Sequence, residues 1–170
     1  GWKASMLSLA GRQVLIQASS ATILAYVMQC SYLPGRILDG IDRVNRNFFW
    51  GSSDSLKKIH WIGWQKVTKT KEEGGLGLQA AKGRNLALLG KLNWRFHTEG
   101  DAPRVQVLSK KYCSGRRLSA ANPNNLPCSS VWAAMKKGMG TFEKGSRWTV
   151  VRDSKLNLWY SSCLSKGPLR

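Results

Sequence analysis

The spacing of apolar residues is the feature that most constrains how this chain can fold. Over residues 5–28 they recur every three or four positions, which is the period of one face of an α-helix. Pro34 suits the first turn of a second helix, and Gly51 is placed to end it. The same period predicts a third helix over about residues 83–96 and a fourth after Pro103. The sequence therefore predicts a mainly α fold, a helical bundle.

The second predicted helix has an apolar face and a charged face. The face expected to be buried carries Ile37, Ile41, Val44 and Phe48. The other face carries opposite charges four residues apart, Asp39 with Arg43 and Asp42 with Arg46. Such pairs are ordinary salt bridges on a solvated helix surface. We therefore expect no special role for these charges.

Short β-like segments interrupt the helical pattern. Residues 58–64 are compatible with a short β-containing insertion, and the glycines of residues 74–77 predict a tight turn or a loop of close backbone approach. Further on, residues 131–138 predict a short helix. Residues 147–160 alternate apolar and polar side chains around a central turn, as a β-hairpin would. Small β elements are thus expected beside the helices.

A polar, basic and turn-rich stretch divides the chain. Residues 114–130 have the composition of a linker. The predicted organisation is a helical region over residues 1–113, this linker, and a small, truncated C-terminal unit over residues 131–170. Because the chain starts on Gly1 rather than on methionine, we expect it to be a fragment of a longer protein.

The charge balance points to a polyanionic partner. The 170 residues include 27 Lys and Arg against 9 Asp and Glu, a formal net charge of +18. Nucleic acid is favoured over a membrane, because no long basic amphipathic helix and no lipidation signal is present. Eight tryptophans argue for packed structure rather than a disordered basic tail. Four well-separated cysteines, without a secretory leader, predict reduced thiols in an intracellular protein.

The sequence shows no catalytic or metal site. Two-metal catalysis needs clustered carboxylates, and the chain has no Asp-Asp pair. His60, His97 and the four cysteines lack the close spacing of structural zinc ligands. The glycines of residues 74–77 lack the ending of a phosphate-binding loop, so a turn is the better interpretation. We therefore predict no catalytic residues, no metal and no cofactor on this chain.

The positive functional signal is a basic segment with interleaved aromatics. Its cations could follow a phosphate backbone, and the alternative is that they only solubilise a helical core. Two tryptophans in this segment, Trp61 and Trp64, could stack on bases, although burial is the commoner fate of tryptophan. The candidate nucleic-acid-binding residues are Lys57, Lys58, Lys66, Lys69, Lys71, Arg84, Lys91 and Arg95.

A series of motifs in fixed order also resembles a known family. They are Ala10-Gly11-Arg12, Leu33-Pro34, Phe48-Phe49-Trp50-Gly51, Lys57-Lys58-Ile59-His60-Trp61-Ile62-Gly63-Trp64, Gly74-Gly75-Leu76-Gly77-Leu78 and Asn85-Leu86-Ala87-Leu88-Leu89. This series resembles the thumb and post-polymerase region of plant LINE-type (non-LTR) retrotransposon reverse transcriptases, upstream of the zinc-binding segment. The resemblance is strong over residues 1–112 and weaker over residues 129–170.

The resemblance implies a helical, thumb-like region that grips a template-primer duplex of RNA and DNA. It also implies that the parent polyprotein is an RNA-directed DNA polymerase that uses Mg, and that it works in the nucleus and cytoplasm. The chain departs from the family at Leu24, where proline is usual, and at residues 148–153 and 159–163. Three interpretations stay open: a non-catalytic part of that enzyme, a free-standing basic RNA- or DNA-binding module, and an inert, decayed remnant.

Overall fold

Helices carry almost all of the regular structure in the computed structural model, which describes residues 6–52, 57–113 and 128–147. The α-helices are α1 (Leu9–Leu15), α2 (Ala21–Met28), α3 (Gly35–Trp50), α4 (Trp64–Val67), α5 (Ala81–Thr98), α6 (Pro103–Leu108) and α7 (Ser130–Gly145). Two π-helical segments follow α1 and α6, at Ile16–Ser20 and Ser109–Cys113. The predicted mainly α fold is confirmed.

The expected β insertion over residues 58–64 is wrong. Residues 57–63 are irregular, α4 begins at Trp64, and the described ranges contain no strand. The β-compatible residues were misleading because a strand needs a neighbouring strand to satisfy its backbone, and the described residues provide none. The β-hairpin predicted over residues 147–160 falls almost entirely outside the described residues.

The first helical stretch runs without a break from Leu9 to Met28. Ser8 caps it as expected, since its side-chain oxygen accepts a hydrogen bond from the Gly11 N–H at 3.2 Å. The π-helical turn at Ile16–Ser20 widens the helix in the middle, and the helix then continues through Leu24. In this turn, the Ser20 hydroxyl donates to Asn45 Oδ1 at 2.8 Å and ties the stretch to α3.

Helix α3 ends where the sequence predicted, but only part of the predicted stripe faces the core. Gly51 follows it with a left-handed φ of 71°. Leu38 and Phe49 are buried, and Ile41 and Phe48 of the predicted stripe are half-buried against the core, whereas Ile37 and Val44 are exposed. The buried face is displaced toward Asn45, which accepts the hydrogen bond from the Ser20 hydroxyl.

The predicted salt bridges along α3 are absent among the described residues. The carboxylate of Asp42 instead accepts a hydrogen bond from the Ala81 N–H at 3.0 Å, so it caps the start of α5. Ala80, the residue before α5, has no side-chain cap of its own, and a carboxylate at a helix N-terminus is electrostatically favourable. Sequence spacing could not show this, because the two residues are 39 positions apart.

In the described part of the chain, three clusters of buried side chains hold the helices together. The first joins Ile16, Phe49 and Trp50 to Val67 and Leu78. The second joins Met28 and Leu38 to Ala81, with Leu24, Leu33, Ile41 and Leu88 packed against it. The third joins Trp132 and Met135 to Cys113, with Leu92, Phe96, Leu108 and Tyr112 alongside. Helix α3 contributes to the first two clusters, and α5 contributes to the last two.

Helix α7 packs closely along α5. It was expected to end at Gly138 but continues to Gly145. Gly138 lies inside the contact, where an added Cβ would stand 2.7 Å from the Leu89 Cβ. The Asn93 side-chain amide donates to the Met135 carbonyl at 2.9 Å across the same contact. The division into units at residues 1–113, 114–130 and 131–170 stays a prediction, because residues 114–127 and 148–170 lie outside the described ranges.

Candidate nucleic-acid interface

The basic segment that follows α3, residues 57–77, is held in place by hydrogen bonds at both of its ends. Near its start, Ser52 Oγ accepts a hydrogen bond from the Lys58 N–H at 3.1 Å and lies 3.3 Å from His60 Nε2. The His60 ring also stacks on Trp50, with 5.9 Å between ring centroids. His60 therefore makes structural contacts with both Ser52 and Trp50.

The glycine-rich end of the segment is a compact turn. The Gly75 N–H donates to the Thr70 carbonyl at 2.8 Å, and the Leu76 N–H donates to the Val67 carbonyl at 3.0 Å. Gly74 and Gly77 have positive φ angles of 78° and 69°, which only glycine adopts easily. The turn interpretation of these glycines is confirmed. The Gln13 side chain then donates to the Leu76 carbonyl at 2.8 Å and fixes the turn to α1.

The five lysines predicted in this segment all point into solvent. Lys57, Lys58, Lys66, Lys69 and Lys71 are exposed, and none forms an ion pair with another described residue. Among the described residues, the acidic side chains that share this segment with them belong to Glu72 and Glu73, both exposed. The structure thus presents these five cations together on one irregular segment and its short helix.

The other three predicted cations lie on α5. Successive residues of an α-helix are rotated by about 100°, so Arg84, Lys91 and Arg95 fall within about 40° of one another. Arg95 is engaged locally, since its Nε donates to Glu99 Oε1 at 2.8 Å. Hydrogen bonding from Arg95, together with the charge of Arg104, lowers the pKa of Glu99. Arg95 is therefore less available to an external anion than Lys91.

The two candidate stacking residues, Trp61 and Trp64, differ in how far they are exposed to solvent. Trp61 is 81% exposed. Trp64 is half-buried and packs against the first cluster, with its ring 6.4 Å from that of Phe49 in an edge-on arrangement. Burial, the preferred interpretation, is wrong for Trp61 and right for much of Trp64. Only Trp61 offers an open ring face.

Arg46 is a residue of this region that the sequence assigned to an ordinary salt bridge. Its Nε is buried and has no hydrogen-bond partner among the described residues, because Asp42 faces the start of α5 instead. Arg46 lines a groove of 450 Å³ together with residues 61–66. No local signal in the sequence distinguishes this arginine from a paired one.

Metal-binding geometry is not present in the described part of the chain. No group of three or more His, Cys, Asp or Glu side chains there is arranged to hold an ion. Cys30, Cys113 and Cys128 are free thiols, and burial raises the pKa of Cys113. Within the same residues, no helix has the length and apolar character needed to cross a bilayer.

Fold and surface together define the class: a mainly α, strongly basic chain with a lysine-rich segment fixed beside its first core cluster. Comparisons with known proteins show which proteins the chain resembles. No family model matches the chain, and no solved structure matches it significantly.

Two proteins of Arabidopsis thaliana are similar to it. One, called "Putative ribonuclease H protein", is 35% identical over 171 residues, covering 99% of this chain and 28% of that protein. The other, an uncharacterized mitochondrial protein, is 26% identical over 135 residues, covering 79% of this chain and 87% of that protein. This chain thus spans just over a quarter of the first relative. Both similarities are consistent with a retrotransposon-related chain.

Proposed function

We propose that this chain is a non-catalytic, nucleic-acid-binding part of a plant LINE-type retrotransposon reverse transcriptase. In this proposal it corresponds to the thumb and post-polymerase region and grips the phosphate backbone of a template-primer duplex. RNA and DNA are its partners, together with the rest of the parent polyprotein. Polymerase activity, with its Mg ions, and a nuclear and cytoplasmic location belong to the proposed parent protein.

The observation that carries the proposal is the set of five exposed lysines in residues 57–71. They have no ion-pair partner among the described residues, so their charge is available to an external anion. The segment that carries them is fixed at both ends, by the hydrogen bonds from Lys58 to Ser52 and from Gln13 to Leu76. This limits the conformational entropy that the segment loses when a long polyanion binds. Contacts of this kind read phosphate positions and carry no sequence information.

A salt titration of duplex binding tests the proposal. Blunt duplexes of unrelated sequence, both DNA and RNA–DNA hybrid, should bind with similar affinity, and binding should weaken steeply as salt rises. Each neutralised phosphate contributes roughly 0.9 to the slope of log affinity against log salt for B-DNA. Replacing Lys57, Lys58 and Lys66 with Gln should therefore lower this slope by about two to three units.

A second triple variant controls for net charge. Lys110, Lys144 and Arg147 are also exposed, have no ion pair with a described residue, and lie outside the basic segment. Their replacement by Gln removes the same charge and should change the slope by less than one unit. Equal losses in the two triple variants would assign binding to overall charge and reject this surface. Circular dichroism of each variant checks that helix content is retained.

A further inference from the structure

The groove between the end of α3 and the start of α4 has the size of a ligand site. Its volume is 450 Å³, and its walls are Arg46 and residues 61–66. Small-molecule sites commonly measure about 300–1,000 Å³ and combine apolar walls with a few polar groups. This groove has both, since two tryptophans and an isoleucine line it beside an arginine and a lysine.

One wall of the groove is an open aromatic face. Trp61 is 81% exposed, and no other described ring stacks on it. The neighbouring Ile59 and Ile62 are also exposed, at 74% and 50%. Apolar area left in water is unfavourable, and a planar ligand that covers the indole would recover that free energy.

Two lining residues carry buried donors that lack acceptors. Arg46 Nε and Trp64 Nε1 are both buried, and neither has a hydrogen-bond partner among the described residues. A buried donor without an acceptor is destabilising, and no described carboxylate forms an ion pair with the Arg46 guanidinium. The exposed Lys66 adds a second positive charge to the same groove. The combination favours an anion attached to a planar ring.

We propose that this groove binds one unpaired nucleotide. Its base stacks on Trp61, and its phosphate lies against Arg46 and Lys66. Inside a duplex, neighbouring base pairs cover both faces of each base, so only a nucleotide released from pairing can enter. The inference rests on the proposed duplex-binding function and adds to it a site for a single-stranded extension that leaves the duplex.

The test compares each protein's affinity for a blunt duplex with its affinity for the same duplex carrying a short single-stranded extension. For the unaltered chain the extension should tighten binding about 5-fold to 150-fold, the range of base–aromatic stacking. Trp61→Ala and Arg46→Gln should each bring this ratio close to one, and Trp61→Phe should keep most of it. An abasic extension, which supplies phosphate without a base, should lose most of the gain. Extensions of RNA and of DNA are both measured.

Trp94→Ala is the matched control. Trp94 is an exposed tryptophan on α5 that contacts Phe142, far along the chain from the groove, and its loss should leave the ratio unchanged. A ratio of one for the unaltered chain, with blunt-duplex binding intact, would reject the groove and leave the proposed function standing. A ratio that survives Trp61→Ala would also reject it. If the unaltered chain bound no duplex at all, that result would reject the proposed function itself, and the groove with it.

Discussion

At the scale of single residues, one contact fixes the join between α1 and α3. The guanidinium of Arg12, although charged, is buried, and its Nη1 donates to the Phe49 carbonyl at 3.3 Å. A cation at this end of α3 complements the negative end of the helix dipole. Gly51 makes room for it, because a Cβ at that position would collide with the same guanidinium. The end of the helix and the seat of the arginine are thus one structural feature.

Replacing Gly51 with Ala should destabilise the protein strongly. The left-handed φ of 71° alone costs an alanine about 1–2 kcal/mol, and the collision with Arg12 adds to that. Gly40→Ala is the control on the same helix, since a Cβ there meets nothing within 4 Å and should stabilise by about 0.5–1 kcal/mol. Urea unfolding followed by circular dichroism measures both. Equal effects of the two substitutions would contradict both the left-handed backbone and the close Arg12 contact described for Gly51.

At the scale of elements, the sequence predicted helices well and their environments poorly. Gly51 was a reliable stop because its conformational freedom is local. Part of the face that α3 turns to the core was missed, because Asn45 and Asp42 on that face find their partners far away in the chain. Helix α7 outran Gly138 for a similar reason: that glycine serves a contact with α5 rather than a helix end.

The candidate interface residues also include some whose environment the sequence could predict and some whose environment it could not. Exposure of the five lysines follows from their polarity and could be expected from sequence alone. The contrast between Trp61 and Trp64 could not, because it depends on where Phe49 lies in the folded chain. Arg46 was missed because a carboxylate four residues earlier gave it an apparent partner, which the fold assigns to α5.

Gly138→Ala should loosen the pairing of α7 with α5. The added Cβ would lie 2.7 Å from Leu89 Cβ and 2.8 Å from the Leu89 backbone carbon, so the helices must move apart. Overpacking of this kind costs typically about 1–3 kcal/mol. Gly140→Ala, two residues on in the same helix, meets nothing within 4 Å and should stabilise by about 1 kcal/mol or less. Thermal unfolding of both variants makes the comparison, and a neutral Gly138→Ala would disprove the close contact.

At the scale of the whole molecule, shared helices link the three clusters. Helix α3 supplies Phe49 to the first cluster and Leu38 to the second, and α5 supplies Ala81 to the second and Phe96 to the third. Asn85 reinforces the middle of this series, since its buried amide donates to the Met28 and Ser31 carbonyls and accepts from the Leu33 N–H. Clusters connected in this way should lose their structure together.

We therefore expect one cooperative helix-unfolding transition. Gly51→Ala, near the first cluster, and Gly138→Ala, near the third, should lower the midpoint of that same transition without splitting it. Denaturant curves recorded by far-ultraviolet and near-ultraviolet circular dichroism should superimpose for all three proteins. A separate early transition that appears only in Gly138→Ala would instead favour the independent C-terminal unit predicted from the sequence.

The tight seat of Gly138 against Leu89 also bears on the history of this sequence. Any substitution of Gly138 adds a side chain, so every replacement there must push α7 away from α5. Two positions later, a Cβ added to Gly140 would meet nothing within 4 Å, so a small side chain fits there. Among related genomic copies, drift would erode both glycines at similar rates, whereas purifying selection on a folded product would preserve the first and release the second. Comparing how often Gly138 and Gly140 are replaced in a lineage therefore indicates whether that lineage still uses the protein.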